Sequence, residues 1–172
     1  CERNMWGPGG SGGERDVDHG ERDESSGRRA ERELHFRHAN GWRRETAARL
    51  LVERNDLSAV PRLRQLAADQ DFAPEGRIRC LQVLASLDAL DEPPIAAALN
   101  DPHPEVRRHA VQLAERIERT AQLEMALCRM VRDPSLRVRY QLAFTLGELR
   151  NTARWQALAR LIQSDGANPD VA

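Results

Sequence analysis

A short segment that occurs twice most limits what this chain can fold into. Residues 101–107 read DPHPEVR, and residues 133–139, which lie 32 positions later, read DPSLRVR. The apolar positions downstream of each segment also coincide at this spacing. A unit of about 32 residues is too small to bury a core alone, so its repetition predicts stacked copies of one supersecondary unit. The matched downstream positions are Ala110, Val111, Ala114 and Ile117 on Leu142, Ala143, Leu146 and Leu149.

The same columns continue toward the N-terminus. One copy lies 30 residues earlier, and another lies a further 34 residues back. Four second helices are therefore predicted, each preceded or followed by a first helix at residues 57–68, 94–99, 120–131 and 152–163. The expected fold is all-α, an α-α superhelix of about four helix pairs over residues 35–163. The earlier columns are Arg77, Cys80, Leu81, Leu84 and Leu87, then Arg43, Thr46, Ala47 and Leu50.

Helical periodicity and helix-start signals support these units. Apolar residues recur at helical spacing from Val106 to Ile117, and again from Trp155 through Leu158 and Ala159 to Ile162. Each Asp-Pro pair predicts a helix start, with Asp101 and Asp133 as N-caps and Pro102 and Pro134 at the first helical position.

Composition narrows the core and the function. Only 4% of the residues are aromatic, so the core is expected to consist of Leu, Ala, Val and Ile, with Trp42 and Trp155 as large plugs where helices diverge. Cys80 and Cys128 fall on core positions and are expected to be buried thiols. The formal net charge of -1 gives no support for nucleic-acid binding, which depends on clustered positive charge. No apolar run is long enough to insert into a membrane.

The two ends of the chain differ from the repeats. Residues 1–34 hold seven of the eleven glycines and no helical period, which predicts a flexible linker rich in glycine and charge. Residues 164–172 resemble the start of a further repeat that is then cut short. With a first residue that is not Met, this pattern favours a segment of a longer protein.

The Asp-Pro openings and the recurring arginine resemble HEAT repeats, in particular the short form of phycobilin-lyase-like proteins. A second resemblance covers residues 38–54, HANGWRRETAARLLVER. This stretch is similar to HPNGWWRDTAQRLLVER in the large secreted or membrane-bound dehydrogenases of planctomycetes and verrucomicrobia. In that family a β-propeller that resembles sugar dehydrogenases precedes the HEAT repeats, and a c-type haem domain with a CxxCH motif follows them. The resemblance implies a periplasmic or cell-envelope location.

Charged residues at repeated positions are the candidate site residues. An arginine at one helical position of each unit is expected to reach an aspartate in the turn of a neighbouring unit, which is a structural role between repeats. The alternative is a row of arginines that reads a phosphate or an acidic peptide. The candidates are Arg43, Arg77, Arg107 and Arg139, with Asp101 and Asp133 as carboxylate partners.

No catalytic, cofactor or metal site is predicted. His35 and His38 are spaced i, i+3 and lie downstream of Asp16, Asp18 and His19, but two histidines without a fixed third ligand bind a metal ion weakly. The predicted function is a non-catalytic scaffold that binds a protein or neighbouring domains of the same chain, within a periplasmic dehydrogenase with a haem c domain. The alternatives are a stand-alone HEAT adaptor, or a HEAT-type lyase or DNA glycosylase.

Overall fold

The computed structural model describes residues 41–149 and 152–165, so the predictions for residues 1–34 and for the last seven residues lie outside the described part. The described residues form α-helices joined by short turns and 3₁₀ segments, without a strand. The helices are α1 (Gly41–Glu53), α2 (Val60–Ala68), α3 (Pro74–Ser86), α4 (Glu92–Ala98), α5 (Pro104–Leu113), α6 (Ala121–Arg129), α7 (Leu136–Gly147) and α8 (Ala153–Asp165).

The helices alternate between two layers. The second helices α1, α3, α5 and α7 pack side by side in chain order, and the first helices α2, α4, α6 and α8 form the other layer. This arrangement confirms the predicted all-α stack of helix pairs. Two of the first helices, α2 and α6, are shorter than expected because part of the predicted span is 3₁₀ helix, at Leu57–Ala59 before α2 and at Met130–Arg132 after α6.

The core lies between the layers and is almost wholly aliphatic. Most of the predicted columns along α3, α5 and α7 are buried, including the fully buried Leu81, Leu84, Val111, Leu142 and Leu146. Ile117 and Ala143 are partly buried and pack against this core. Burying a side chain of this size stabilises the fold by about 1.5 to 3 kcal/mol before entropy is subtracted. Repetition of these columns therefore supplies one continuous core along the stack.

The register of the first unit differs from the prediction by one residue. α1 and α3 have 13 residues each, and their bounds lie 33 positions apart. The residues that α1 buries are Ala47, Ala48 and Leu51, so the predicted columns through Thr46 and Leu50 are wrong. The cause is a run of doublets in α1, which contains two adjacent arginines, alanines and leucines. Such doublets fit the helical period equally well in two registers.

α1 and α3 also end in the same way. Asn55 and Asp88 have positive φ, at 48° and 53°, and they occupy equivalent positions 33 residues apart. The amide of the next residue donates to the carbonyl five residues back, at 3.0 Å after α1 and 2.9 Å after α3. This is the hydrogen bonding of a Schellman motif, which closes a helix through one left-handed residue.

One core position is filled from a turn instead of from a helix. Val106 and Val138 begin the buried stripes of α5 and α7, whereas the equivalent residue of α3 is Gly76. A Cβ atom added at Gly76 would lie 2.3 Å from Cζ of Phe72. The buried Phe72 ring, which comes from the turn before α3, therefore occupies the volume that a valine fills elsewhere.

The tryptophan predictions are wrong. Trp42 is 71% exposed and Trp155 is 61% exposed, so neither is a core plug. In α8 the buried residues are Ala157 and Leu161, while Ile162 is 72% exposed. Apolar residues lie on more than one side of α8, and the helical period alone does not reveal which side the neighbouring helices cover.

We expect Gly76→Ala to destabilise the chain by about 1 to 3 kcal/mol, because the new methyl group must displace the buried Phe72 ring. Gly147→Ala is the matched control, since no atom lies within 4 Å of a Cβ at that position. Relief of glycine entropy should stabilise the control by up to about 1 kcal/mol. Urea unfolding followed by circular dichroism measures both, and equal midpoints would refute the packing argument.

The two thiols of the described chain should differ in reactivity. Burial raises the pKa of the Cys80 thiol to about 12. Cys128 is only partly buried, and its thiol pKa is raised by burial and by Glu124. In a Cys1→Ser background at pH 8.5, iodoacetamide should therefore alkylate Cys128 first and reach Cys80 only when the chain unfolds. Mass spectrometry after timed quenching resolves the order, and faster labelling of Cys80 would contradict its burial.

Candidate functional site

The two repeated aspartates lie in the turns before α5 and α7, not at the helix starts. α5 and α7 begin three residues after Asp101 and Asp133, with His103 and Ser135 as N-caps. Each aspartate accepts a hydrogen bond from the backbone N–H two residues on, at 2.8 Å for His103 and 2.9 Å for Ser135. The N-cap prediction is therefore wrong, and so is the position of the prolines that follow. The aspartate folds the turn, and the helix starts after it.

Each buried aspartate is paired with an arginine from the preceding helix pair. Nη2 of Arg77 in α3 lies 2.8 Å from Oδ1 of Asp101, and the two side chains are 3% and 6% exposed. Arg107 in α5 holds Asp133 through both carboxylate oxygens, at 2.7 Å from Nε and 3.0 Å from Nη2. Each pair joins the second helix of one unit to the turn of the next.

The same guanidinium groups also bind backbone carbonyls in the turn before their own helix. Nη1 of Arg107 donates to the carbonyl of Asp101 at 2.9 Å, and Nη1 of Arg139 donates to the carbonyl of Asp133 at 2.6 Å. Arg77 makes equivalent bonds to carbonyls in the turn before α3. Each arginine thus binds the turn that precedes its own helix. Arg77 and Arg107 also bind the turn of the following unit.

Arg43 does not occupy the repeated position. With the observed register of 33 residues, Arg44 is the equivalent of Arg77, and Arg44 is half-buried while Arg43 is exposed. The prediction that Arg43 takes this position is therefore wrong. Arg43 and Arg44 are adjacent, so both fit the sequence pattern, and the one-residue shift of α1 puts Arg44 at the repeated position.

Pairing stabilises the positive charge of Arg107. The hydrogen bonds from Arg107 to Asp133 raise the pKa of the Arg107 guanidinium, against the lowering effect of its burial. When the N–H groups of a guanidinium already donate to a buried carboxylate and to turn carbonyls, few donors are left for a ligand. Arg77 and Arg107 are therefore poorly placed to read an external phosphate or acidic peptide.

We expect Arg107→Met to cost about 3 kcal/mol or more, because it leaves the Asp133 carboxylate buried without its partner. The double variant Arg107→Met/Asp133→Asn should recover part of that loss, since the buried charge is then gone. Arg137→Met is the control, as the Arg137 side chain is 80% exposed and should change stability by less than about 1 kcal/mol. Urea midpoints of these variants and of Asp133→Asn alone measure the effects, and a double variant whose loss equals the sum of the two single losses would contradict direct coupling.

The exposed side of the second-helix layer carries two grooves. The α1–α3 groove has a volume of about 240 Å³, and the α5–α7 groove about 510 Å³. Ion pairs cross both grooves, from Arg79 to Glu45 and from Arg137 to Glu105. The α5–α7 groove is lined by Glu105, Arg108, Leu136, Arg137, Tyr140 and Gln141.

Large apolar side chains stand exposed beside the α5–α7 groove. Leu136, Tyr140 and Phe144 lie four residues apart along α7 and are 41%, 67% and 57% exposed. The Tyr140 and Phe144 rings meet edge to face, with centroids 5.1 Å apart. These residues were not predicted as site residues from the sequence. The available signal was a second apolar stripe on α7, opposite the stripe through Val138 and Leu142.

Neither a metal-binding cluster nor a membrane-spanning helix is present among the described residues. The histidines and acids considered as metal ligands, residues 16–38, lie outside the described part of the chain. Across residues 41–149 and 152–165, no group of three or more His, Cys, Asp or Glu side chains could hold a metal ion. In the same part of the chain, no helix has the length and apolar character needed to span a bilayer.

Two layers of alternating helices, with two buried ion pairs that link a helix pair to the turn of the next, define a helical repeat protein of the α-solenoid class. The family model for HEAT repeats matches residues 92–171, a span that starts at the first residue of α4. With the helix stack, this match supports a HEAT-repeat solenoid, a class of repeat scaffold or interaction module. No curated protein and no solved structure matches the chain significantly.

Proposed function

We propose that this chain is a non-catalytic scaffold that holds proteins or neighbouring domains of its own chain at fixed positions, without a cofactor. The observation that carries the proposal is the pair of buried links, Arg77 with Asp101 and Arg107 with Asp133. Each link constrains one helix pair relative to the next. Because both lie within the stack, the side chains on the open side of the second helices stay available for contacts.

The finer proposal places this scaffold in a multidomain dehydrogenase of the periplasm or cell envelope. Its support is the similarity of residues 38–54 to the dehydrogenase family described above, a stretch that includes the whole of α1. In such a protein the stack would set the distance between a sugar-oxidising propeller and a haem c domain. Electron transfer depends on that distance, so a stiff spacer suits this position.

The reading frame that encodes this chain tests the finer proposal. We expect propeller-coding sequence upstream and a CxxCH motif downstream. A frame without either would refute the placement in a dehydrogenase and would favour the stand-alone adaptor, for which the exposed α5–α7 groove is the specific support. The scaffold proposal itself is tested on the purified chain. It should give no turnover with sugars and no absorption of covalently bound haem, and turnover by the chain alone would refute it.

A further inference from the structure

Within the scaffold role just proposed, we infer that the α5–α7 groove binds an acidic peptide segment of a partner protein, in which apolar and carboxylate side chains alternate. The inference deepens that role by naming a site and a class of ligand. Its basis is a local excess of positive charge next to exposed apolar side chains. Neither property is explained by the packing of the repeats.

The charge excess comes from two guanidinium groups that share one carboxylate. Nε of Arg108 lies 2.9 Å from one Glu105 oxygen, and Nη1 of Arg137 lies 3.4 Å from the other. Hydrogen bonds from Arg108, and then Arg137, lower the pKa of the Glu105 carboxyl, so it is ionised at neutral pH. One of the two positive charges is therefore left uncompensated in the groove.

The groups next to the groove do not offset this positive charge, because Glu105 is the only carboxylate among the described residues that line it. Nη2 of Arg108 lies 3.0 Å from Nε2 of His109. Burial, and then the charge of Arg108, lower the pKa of His109, while Glu105 opposes the shift and Arg79 adds to it. The imidazole is thus neutral at pH 7. Both α5 and α7 also begin at this groove, and helix N-termini favour anionic groups.

The apolar part of the groove can bind apolar side chains of a partner, such as leucine. Leu136 and Tyr140 form one wall, and Phe144 holds the Tyr140 ring edge-on. From Leu136 to Phe144 the helix rises by about 12 Å, which equals the length of about four extended residues. In an extended peptide alternate side chains point to opposite sides. Leucines can then contact the Tyr140 wall while aspartates face Arg108 and Arg137.

Arg137 is suited to be the principal contact. Its side chain is 80% exposed, and its bond to Glu105 is the longer of the two. A surface ion pair of this kind contributes little to stability, so exchange of Glu105 for a ligand carboxylate costs little. Arg77 and Arg107, by contrast, are committed to buried aspartates.

Fluorescence anisotropy of the full chain tests the inference with a labelled octapeptide of alternating aspartate and leucine. We expect a dissociation constant on the order of 10 to 100 µM, as for a weak and small interface. Replacing each aspartate by asparagine, or each leucine by alanine, should weaken binding about tenfold. A peptide with lysine in place of aspartate should not bind.

Matched variants locate the site. Arg137→Glu and Tyr140→Ala should each weaken binding about tenfold or more. Arg116→Glu, the same charge change at an exposed residue after α5, and Trp155→Ala, an exposed aromatic on α8, should leave binding unchanged. Circular dichroism melts of the four variants should coincide with that of the unaltered chain, which separates loss of binding from loss of fold.

Four results would overturn the inference. They are absence of binding, equal binding of the asparagine peptide, displacement of the peptide by millimolar inorganic phosphate or by a single-stranded oligonucleotide, and a dimer that dissociates on Tyr140→Ala. The last would assign the groove to a second copy of this chain. These outcomes leave the scaffold proposal untouched, because that proposal is judged by the reading frame and by turnover.

Discussion

The burial of a carboxylate in the turns before α5 and α7 is the constraint to which the other parts of this stack are adjusted. Asp101 and Asp133 are 7% and 9% exposed, and a buried carboxylate without a partner costs several kcal/mol. The compensating arginine comes from the second helix of the preceding pair, 24 or 26 residues earlier in the chain. The arginine can only reach if consecutive second helices keep their relative position. A local electrostatic requirement thus becomes a requirement on the spacing of the repeats.

These arginines also meet a backbone requirement. Turns between short helices contain carbonyl groups that no helix satisfies, and such groups need a donor when they are covered. The Nη1 atoms of Arg107 and Arg139 donate to the carbonyls of Asp101 and Asp133. A lysine carries the same charge, but it has no planar set of donors for a carboxylate and a carbonyl at once. The planar guanidinium of each of these arginines therefore donates to a carboxylate or a carbonyl, or both, from one side chain.

Much of the fold could be predicted from the sequence, because the repeated segments align the buried columns of α3, α5 and α7. The spacing alone also brings Arg77 and Arg107 near Asp101 and Asp133. Prediction failed where the sequence fits two helical registers equally well. The doublets of α1 are such a case, and the wrong register put Arg43 at the repeated position.

Prediction also failed where exposure depends on neighbouring helices. Trp42 and Trp155 look like core residues by type, yet no adjacent helix in the described chain covers them. The candidate groove was missed for a related reason. Tyr140 and Phe144 lie on α7, which already has a buried apolar stripe through Val138 and Leu142. The sequence does not show whether a second apolar stripe on the same helix is buried or exposed.

The exchange of a helix valine for a turn phenylalanine at Gly76 has a consequence for how the units can be recombined. The units of α3, α5 and α7 use the same core volume, but in the first of them the volume is filled by a residue of the preceding turn. A chimaera that moved α3 without the turn before it would leave a hole, and one that moved a valine-bearing helix behind Phe72 would overfill the same space. The repeats are thus similar in outline without being interchangeable parts, and the natural boundary of the unit lies ahead of the turn.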